Sequence, residues 1–148
     1  MDMMELRRMV MAQMAKGKDF ITGTFTCPDA DTTFTLNFGK TFNHYLFVIE
    51  LSDDSKTALK NTGKSSQFSI GFVGIYPKMS INNVDVNANQ LGQRYTPSTN
   101  ATSSGSTSVL TTTNTSITGS VRGLDYSGTT TSILIRGYTY KYTVISLD

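Results

Sequence analysis

The sequence predicts a mainly β fold, an antiparallel two-sheet sandwich of jelly-roll-like type, preceded by one N-terminal amphipathic α-helix. Residues 45–49 are five consecutive large apolar residues. They cannot alternate between core and solvent, so they predict a central strand covered on both faces. Residues 33–38 alternate between Thr or Asn and apolar side chains, which is typical of a strand with one buried face. Residues 2–16 have helix-forming composition, with Val10 as their only β-branched residue.

An apolar stripe runs along the predicted helix. At about 100° per residue, the i, i+3, i+4 spacing places four apolar side chains on one face. The stripe consists of Met3, Leu6, Val10 and Met14. Gly17 then ends the helix. A helix of about four turns is marginally stable alone, so the stripe must pack against something.

Three partners for this helix are open: its own sheet, other copies of the chain, or another protein. A strict coiled-coil heptad is broken by Arg7 or Gln13, depending on the register. We expect residues 1–17 to serve attachment or oligomerisation, and residues 18–148 to form the sandwich domain.

Seven segments carry strand patterns, and the polar middle region brings the total to about eight strands. They are residues 19–27, 32–38, 43–51, 67–76, 116–123, 129–136 and 138–147. The predicted inward side chains on the clearest of them are Ile21, Phe25, Cys27, Phe34, Leu36, Phe38, Ile133 and Ile135. The link 123–128 contains residues typical of a hairpin. Two glycines within 67–76 predict a bulge or a close neighbour.

A short helix is predicted directly after the central strand. Ser52 is a favoured N-cap residue, Asp53 and Asp54 stand in the first turn, and Gly63 follows the last. Residues 77–116 are then rich in Asn, Ser, Thr and Gly, which predicts a long surface excursion with one or two edge strands. Such loops are often kept for binding.

The bulk composition limits the classes of protein to consider. The chain has 148 residues, enough for one domain, and its net charge of +2 is spread over a sequence with only 16% charged residues. We expect no nucleic-acid partner and no membrane span. The single cysteine, Cys27, cannot form an intrachain disulfide and is typical of a small buried side chain. Arg7 and Arg8 interrupt the first apolar run, so no signal peptide is expected.

Catalytic and metal-binding patterns are weak in this sequence. His44 is the only histidine and Cys27 the only cysteine, which leaves no zinc set and no catalytic triad with a serine elbow. A calcium site remains an alternative, with ligands from the pairs Asp29/Asp31 and Asp53/Asp54. Turns and helix caps also favour aspartate without any bound ion. We expect no enzyme activity, no metal and no cofactor.

A row of tyrosines lies on one face of the last predicted strand, at Tyr138, Tyr140 and Tyr142. If these rings face solvent, they form a stacking platform for a glycan. If they face inward, they belong to the core or to a subunit interface, and that is the interpretation we favour.

Residues 4–14, 19–26 and 45–57 together resemble short proteins encoded by phages and prophages of gut bacteria. The resemblance implies a virion structural component of tail, baseplate or head-appendage type, made in the host cytoplasm. It would assemble through its N-terminal helix, as a homo-oligomer with a trimer as the expected state, contact other virion proteins and present polar loops outward. The alternative is a carbohydrate-binding β-sandwich module that contacts a host-surface glycan.

Overall fold

The computed structural model of the chain describes residues 3–17, 19–78, 80–81, 84–85, 90–107 and 109–148. Its strands are β1 Phe20–Thr26, β2 Thr32–Asn37, β3 Tyr45–Leu51, β4 Phe68–Tyr76, β5 Ser80–Ile81, β6 Val84–Asp85, β7 Gln90–Thr96, β8 Ala101–Ser106, β9 Leu110–Thr112, β10 Ser116–Arg122, β11 Leu134–Ile135 and β12 Thr139–Ser146. Its helices are α1 Met3–Ala15, α2 Asp53–Asn61 and a 3₁₀ turn, Thr130–Ser132.

Two sheets of unequal width pack face to face, which confirms the predicted sandwich. The wide sheet has six antiparallel strands in the order β1-β12-β3-β4-β7-β8. The narrow sheet is centred on β10, which pairs with β2 along one side and with β9 and then β11 along the other. Strands β5 and β6 form a separate two-stranded ribbon.

The central strand is β3, as the apolar run predicts. It lies between β12 and β4, so both of its edges are hydrogen-bonded. Tyr45, Phe47 and Ile49 are buried on the face toward the narrow sheet, and Val48 is buried on the opposite face. Strand β3 therefore has apolar contacts on both faces, which explains why its sequence does not alternate.

Helix α1 packs on the outer face of the wide sheet. Val10 is only 3% exposed and forms a small second cluster whose other buried members are Val48, Val73 and Ile145. An ion pair of 3.4 Å between Arg7 Nη2 and Glu50 Oε1 also joins the helix to β3. The sequence leaves three partners open for this helix. Through Val10, the helix packs on the first of them, its own sheet.

The short helix α2 begins and ends where the sequence predicts. The hydroxyl of Ser52 accepts a hydrogen bond from the amide of Ser55, and Asp53 and Asp54 lie in the first turn. Thr62 is the C-cap, and Gly63 follows with a φ of 63°, a left-handed conformation that glycine adopts without strain.

The segment 77–116 contains more regular structure than the one or two edge strands predicted. Strands β7 and β8 extend the wide sheet beyond β4, with a register shift between Ser69 and Gly71 at the predicted bulge. The side chain of Gln90 is buried and exchanges two hydrogen bonds with the backbone of Leu110 on β9. Main-chain pairing and this amide leave no apolar pattern in the sequence, while Tyr95 of β7 and Leu110 of β9 anchor the region in the main core.

The predicted strand 129–136 is also corrected. The Thr130 hydroxyl donates to the carbonyl of Gln67, and the Ser69 hydroxyl donates to the carbonyl of Thr131. These bonds hold the 3₁₀ turn beside β4, so only two residues remain for β11, which runs parallel to β10. A parallel partner cannot follow through a tight turn, and the link 123–128 is therefore not a hairpin.

Candidate binding site at the end of the narrow sheet

The tyrosine row of β12 lies in and beside the core. Tyr140 is fully buried, its hydroxyl oxygen accepts a hydrogen bond of 2.9 Å from the Ile135 amide, and burial raises its pKa above the usual value. Tyr142 and Tyr138 are half-buried and pack against the main core. The Tyr142 ring covers Gly23, where a Cβ atom would lie 2.9 Å from the tyrosine hydroxyl. Tyr138, Tyr140 and Tyr142 therefore do not form the exposed platform on which a glycan could stack.

The exposed tyrosine among the described residues is Tyr126, a residue that is 40% exposed. It stands in the link 123–128, which we call the Tyr126 loop, between β10 and the 3₁₀ turn. Its ring lies against the backbone of Gly128, where an added Cβ would be 2.5 Å from the ring carbon Cε1. Three shallow surface depressions meet at Tyr126. The loop therefore holds an aromatic ring at the rim of several concave surfaces.

Arg136 fixes one side of the Tyr126 loop. Its guanidinium lies 3.3 Å from Asp29 Oδ1 and 3.4 Å from Asp31 Oδ1, and it packs beside Gly123. Asp29 and Asp31, which the sequence offers as possible calcium ligands, therefore pair with a cationic side chain of the protein itself. Asp53, from the other pair, is 3.9 Å from Lys141 Nζ.

Lys64 fixes the other side of the loop. Its ammonium group donates a hydrogen bond of 2.7 Å to Asp125 Oδ1. This bond holds the pKa of the exposed Asp125 carboxyl below its usual value. The charged groups of the loop are therefore already paired on both sides of Tyr126.

Arg122 stands at the end of β10, close to the exposed ring. Its Nη1 donates to the backbone carbonyls of Thr32 at 3.0 Å and Val121 at 2.7 Å. The guanidinium carbon lies 5.8 Å from the centroid of the Tyr126 ring, a cation–π distance. Two backbone acceptors thus orient the arginine beside the tyrosine.

His44 and Cys27 occupy structural positions. His44 Nδ1 is 2.7 Å from Asp148 Oδ1, near the end of the chain. Cys27 is 2% exposed, and burial raises the pKa of its thiol to about 12, so the nucleophilic thiolate is scarce at neutral pH. Within the described ranges, no three His, Cys, Asp or Glu residues are grouped as metal ligands.

The predicted attachment stripe can be placed only at Val10. The side chains of Met3, Leu6 and Met14 lie outside the described residues. Other methionines of α1 face solvent, and they are Met4 at 65%, Met9 at 44% and Met11 at 63% exposed.

Sequence reasoning missed the pair Arg122 and Tyr126. The available signal was one aromatic residue inside a polar turn, with a basic residue at the end of the preceding strand. That signal does not show whether the ring faces solvent or packs inward to anchor the loop, because the same sequence pattern fits both arrangements.

The chain matches no protein-family model, no curated protein and no solved structure. In the part of the chain that the structure describes, no helix is both long and apolar enough to cross a membrane. The resemblance to phage proteins therefore stays a prediction.

Proposed function

We propose that this chain is a non-enzymatic structural protein of a phage particle, of tail, baseplate or head-appendage type, that attaches through α1. The observation that carries the proposal is the arrangement of this helix. Val10 docks it on the wide sheet, while Met4, Met9 and Met11 stay between 44% and 65% exposed. Exposed apolar side chains grouped on one element are typical of an interaction surface.

The position of α1 determines which face of the protein would lie toward its attachment and which face would lie away from it. Val48, Val73 and Ile145, which contact Val10, belong to the outer face of the wide sheet. On β10, Ser120 and Arg122 alternate with buried residues and so belong to the outer face of the narrow sheet. A protein held through α1 would present the narrow sheet and the Tyr126 loop away from its attachment.

The occupant that we propose for the methionine surface is a second copy of the chain. Met4 and Met11 are seven residues apart, which is two helical turns, and therefore share one side of α1. Methionine side chains adapt to irregular partners. Closed rotational symmetry, with a trimer as the expected state, would bring several such helices together.

Sedimentation of the full chain tests this proposal. The wild type should form a discrete oligomer, and the triple variant Met4→Gln, Met9→Gln, Met11→Gln should be a folded monomer whose melting temperature matches that of the wild type diluted until it dissociates. The exchange retains side-chain length and removes the apolar surface. Thr33→Gln, Thr35→Gln, on the outer face of the narrow sheet, is the matched control and should leave the oligomer intact.

Incorporation into phage particles is the second measurement. A wild type that is monomeric but enters particles through the same methionines would assign α1 to another virion protein instead of to a second copy. A wild type that neither oligomerises nor enters particles would refute the proposed function.

A further inference from the structure

A concave surface lies on the outer face of the narrow sheet, next to the exposed tyrosine. We call it the Arg122 depression. Its volume is about 260 Å³, slightly below the roughly 300 Å³ at which the usual range of small-molecule sites begins. It is lined by Ser120, Arg122, Tyr126, Thr129, Ser132 and Ile133. The lining combines an apolar floor, Ile133 at 3% exposed, with one aromatic ring, several hydroxyls and one cation.

The charge of Arg122 is not neutralised by the described residues. Arg136 and Lys64, the other cations beside the Tyr126 loop, each pair with carboxylates. For Arg122, no carboxylate of the described ranges lies within ion-pair distance, and only Nη1 donates hydrogen bonds to the protein. Its Nε and Nη2 groups therefore retain N–H donors without a described acceptor. This edge of a guanidinium fits both oxygens of a carboxylate.

We propose that the Arg122 depression binds a sugar that carries a carboxylate, such as a sialic or uronic acid. The carboxylate would pair with the Nε and Nη2 edge of Arg122, which its two backbone acceptors hold in place. The apolar side of the sugar ring would pack on the exposed part of Tyr126. Ser120, Thr129 and Ser132 supply hydroxyls that can both donate to and accept from the sugar hydroxyls.

This inference goes beyond the proposed function, because the depression and α1 are on outer faces of different sheets. Ligand binding at Arg122 needs neither an oligomer nor a particle. Binding and assembly can therefore be measured separately, and the failure of one does not imply the failure of the other.

The experiment measures binding of four sugars to the purified full chain by calorimetry and by ligand-observed NMR. The acidic probes are 3′-sialyllactose and a disaccharide containing glucuronic acid. The neutral probes are lactose and the matching glucose disaccharide. We expect at least one acidic probe to bind roughly tenfold or more tightly than its neutral counterpart, which corresponds to one charge-assisted contact. The two acidic arms distinguish a sialylated ligand from a uronic-acid polymer.

Variants at the depression assign the binding to named groups. Arg122→Gln should abolish the preference for the acidic sugar. Arg122→Lys should retain part of it, since the charge remains but the two-pronged donor is lost. Tyr126→Ala should weaken acidic and neutral sugars alike. Lys56→Gln is the matched control, because it removes one exposed positive charge from helix α2 at a residue that does not line the depression, and it should leave binding unchanged.

The melting temperature of each variant shows whether the fold persists, since Arg122 also bonds two backbone carbonyls. If Arg122→Gln does not fold, Arg122→Lys and Tyr126→Ala carry the test. Equal affinity for acidic and neutral sugars, no binding of either acidic probe, or an equal loss in Lys56→Gln would each overturn the proposal.

Discussion

The ring of Phe25 stacks on the ring of Phe34, with centroids 4.5 Å apart and an interplanar angle of 17°. Phe25 belongs to β1, the edge strand of the wide sheet, and Phe34 belongs to β2, an edge strand of the narrow sheet. No main-chain ladder joins these two strands. The aromatic contact therefore joins the sheets at this corner, and Tyr140, which pairs with Phe25 across the β1–β12 ladder, also stacks on Phe25 at 5.4 Å.

A double-mutant cycle on Phe25 and Phe34 should report a coupling of about 0.5–1.5 kcal/mol in the free energy of unfolding, the usual value for a stacked aromatic pair beyond its buried area. The measurement is urea denaturation of Phe25→Leu, Phe34→Leu and the double variant. Leucine keeps most of the apolar volume, so the cycle isolates the ring contact. Additive single effects would show that the stacked rings contribute no coupling between the sheets.

The sequence was most informative where one physical constraint controls both pattern and structure. Strand β3 is covered on both faces, so its sequence is a continuous apolar run. Strand β2 is covered on one face only, so its apolar and polar side chains alternate. Ser52 and Gly63 delimit α2 because a helix end needs an acceptor for its free amides and a residue suited to its last turn.

The sequence was least informative where the backbone provides the contacts. Strand β8 consists of small residues, most of them Ser or Thr, and is ordered through its ladder with β7. Such pairing requires no particular side chain, so it leaves no periodicity. The candidate site has the same property, because the position of Arg122 beside Tyr126 depends on carbonyls of Thr32 and Val121.

Replacing Phe47 by Ala should lower the free energy of unfolding by about 3–5 kcal/mol, a large share of the stability of a small domain. The side chain is fully buried between the two sheets, and its removal leaves a cavity. Urea denaturation followed by circular dichroism measures the effect. Thr33→Ala, on the exposed face of β2, is the control and should change the stability little. Wild-type stability for the Phe47 variant would contradict the central position of β3.

A chelator should leave the melting temperature unchanged, and added calcium should not raise it. Asp29 and Asp31 already face the guanidinium of Arg136, and a divalent cation there would be repelled by that charge. Calorimetric scans with and without chelator test this. A fall of many degrees that calcium restores would show that aspartates of this chain bind the ion.

Removing the carboxylate of Asp148 should weaken the protein at neutral pH and have no effect in strong acid. The hydrogen bond from His44 is the main cause that holds the pKa of Asp148 below its usual value, with the amide of Asn43 contributing. A lowered folded-state pKa gives a stabilisation that is present above the unfolded value, here 3.8, and is lost as the pH falls through the lower folded value. Melting curves of wild type and Asp148→Asn should therefore converge below about pH 3.8. A constant difference between the two curves at every pH would exclude this linkage.

Deletion of residues 1–17 should leave the sandwich folded but less stable and unable to assemble. The main core lies between the two sheets and does not include Val10, whereas the second cluster would lose its cover over Val48, Val73 and Ile145. Losing one buried valine and exposing its neighbours should cost about 1.5–3 kcal/mol. Denaturation and sedimentation of the variant that begins at residue 18 measure both effects.

Comparison with the triple methionine variant separates the two roles of α1. The inward side of the helix holds Val10 against the sheet, so Val10→Ala should lower stability, with a smaller effect on assembly. The exposed side carries Met4, Met9 and Met11, whose replacement by Gln should abolish assembly and leave the stability of the dissociated monomer little changed, because these side chains are in solvent in the single chain. If the deletion variant unfolds while the full chain is a monomer, both sides of α1 serve its own domain. The helix is then part of the fold, and attachment must use another surface.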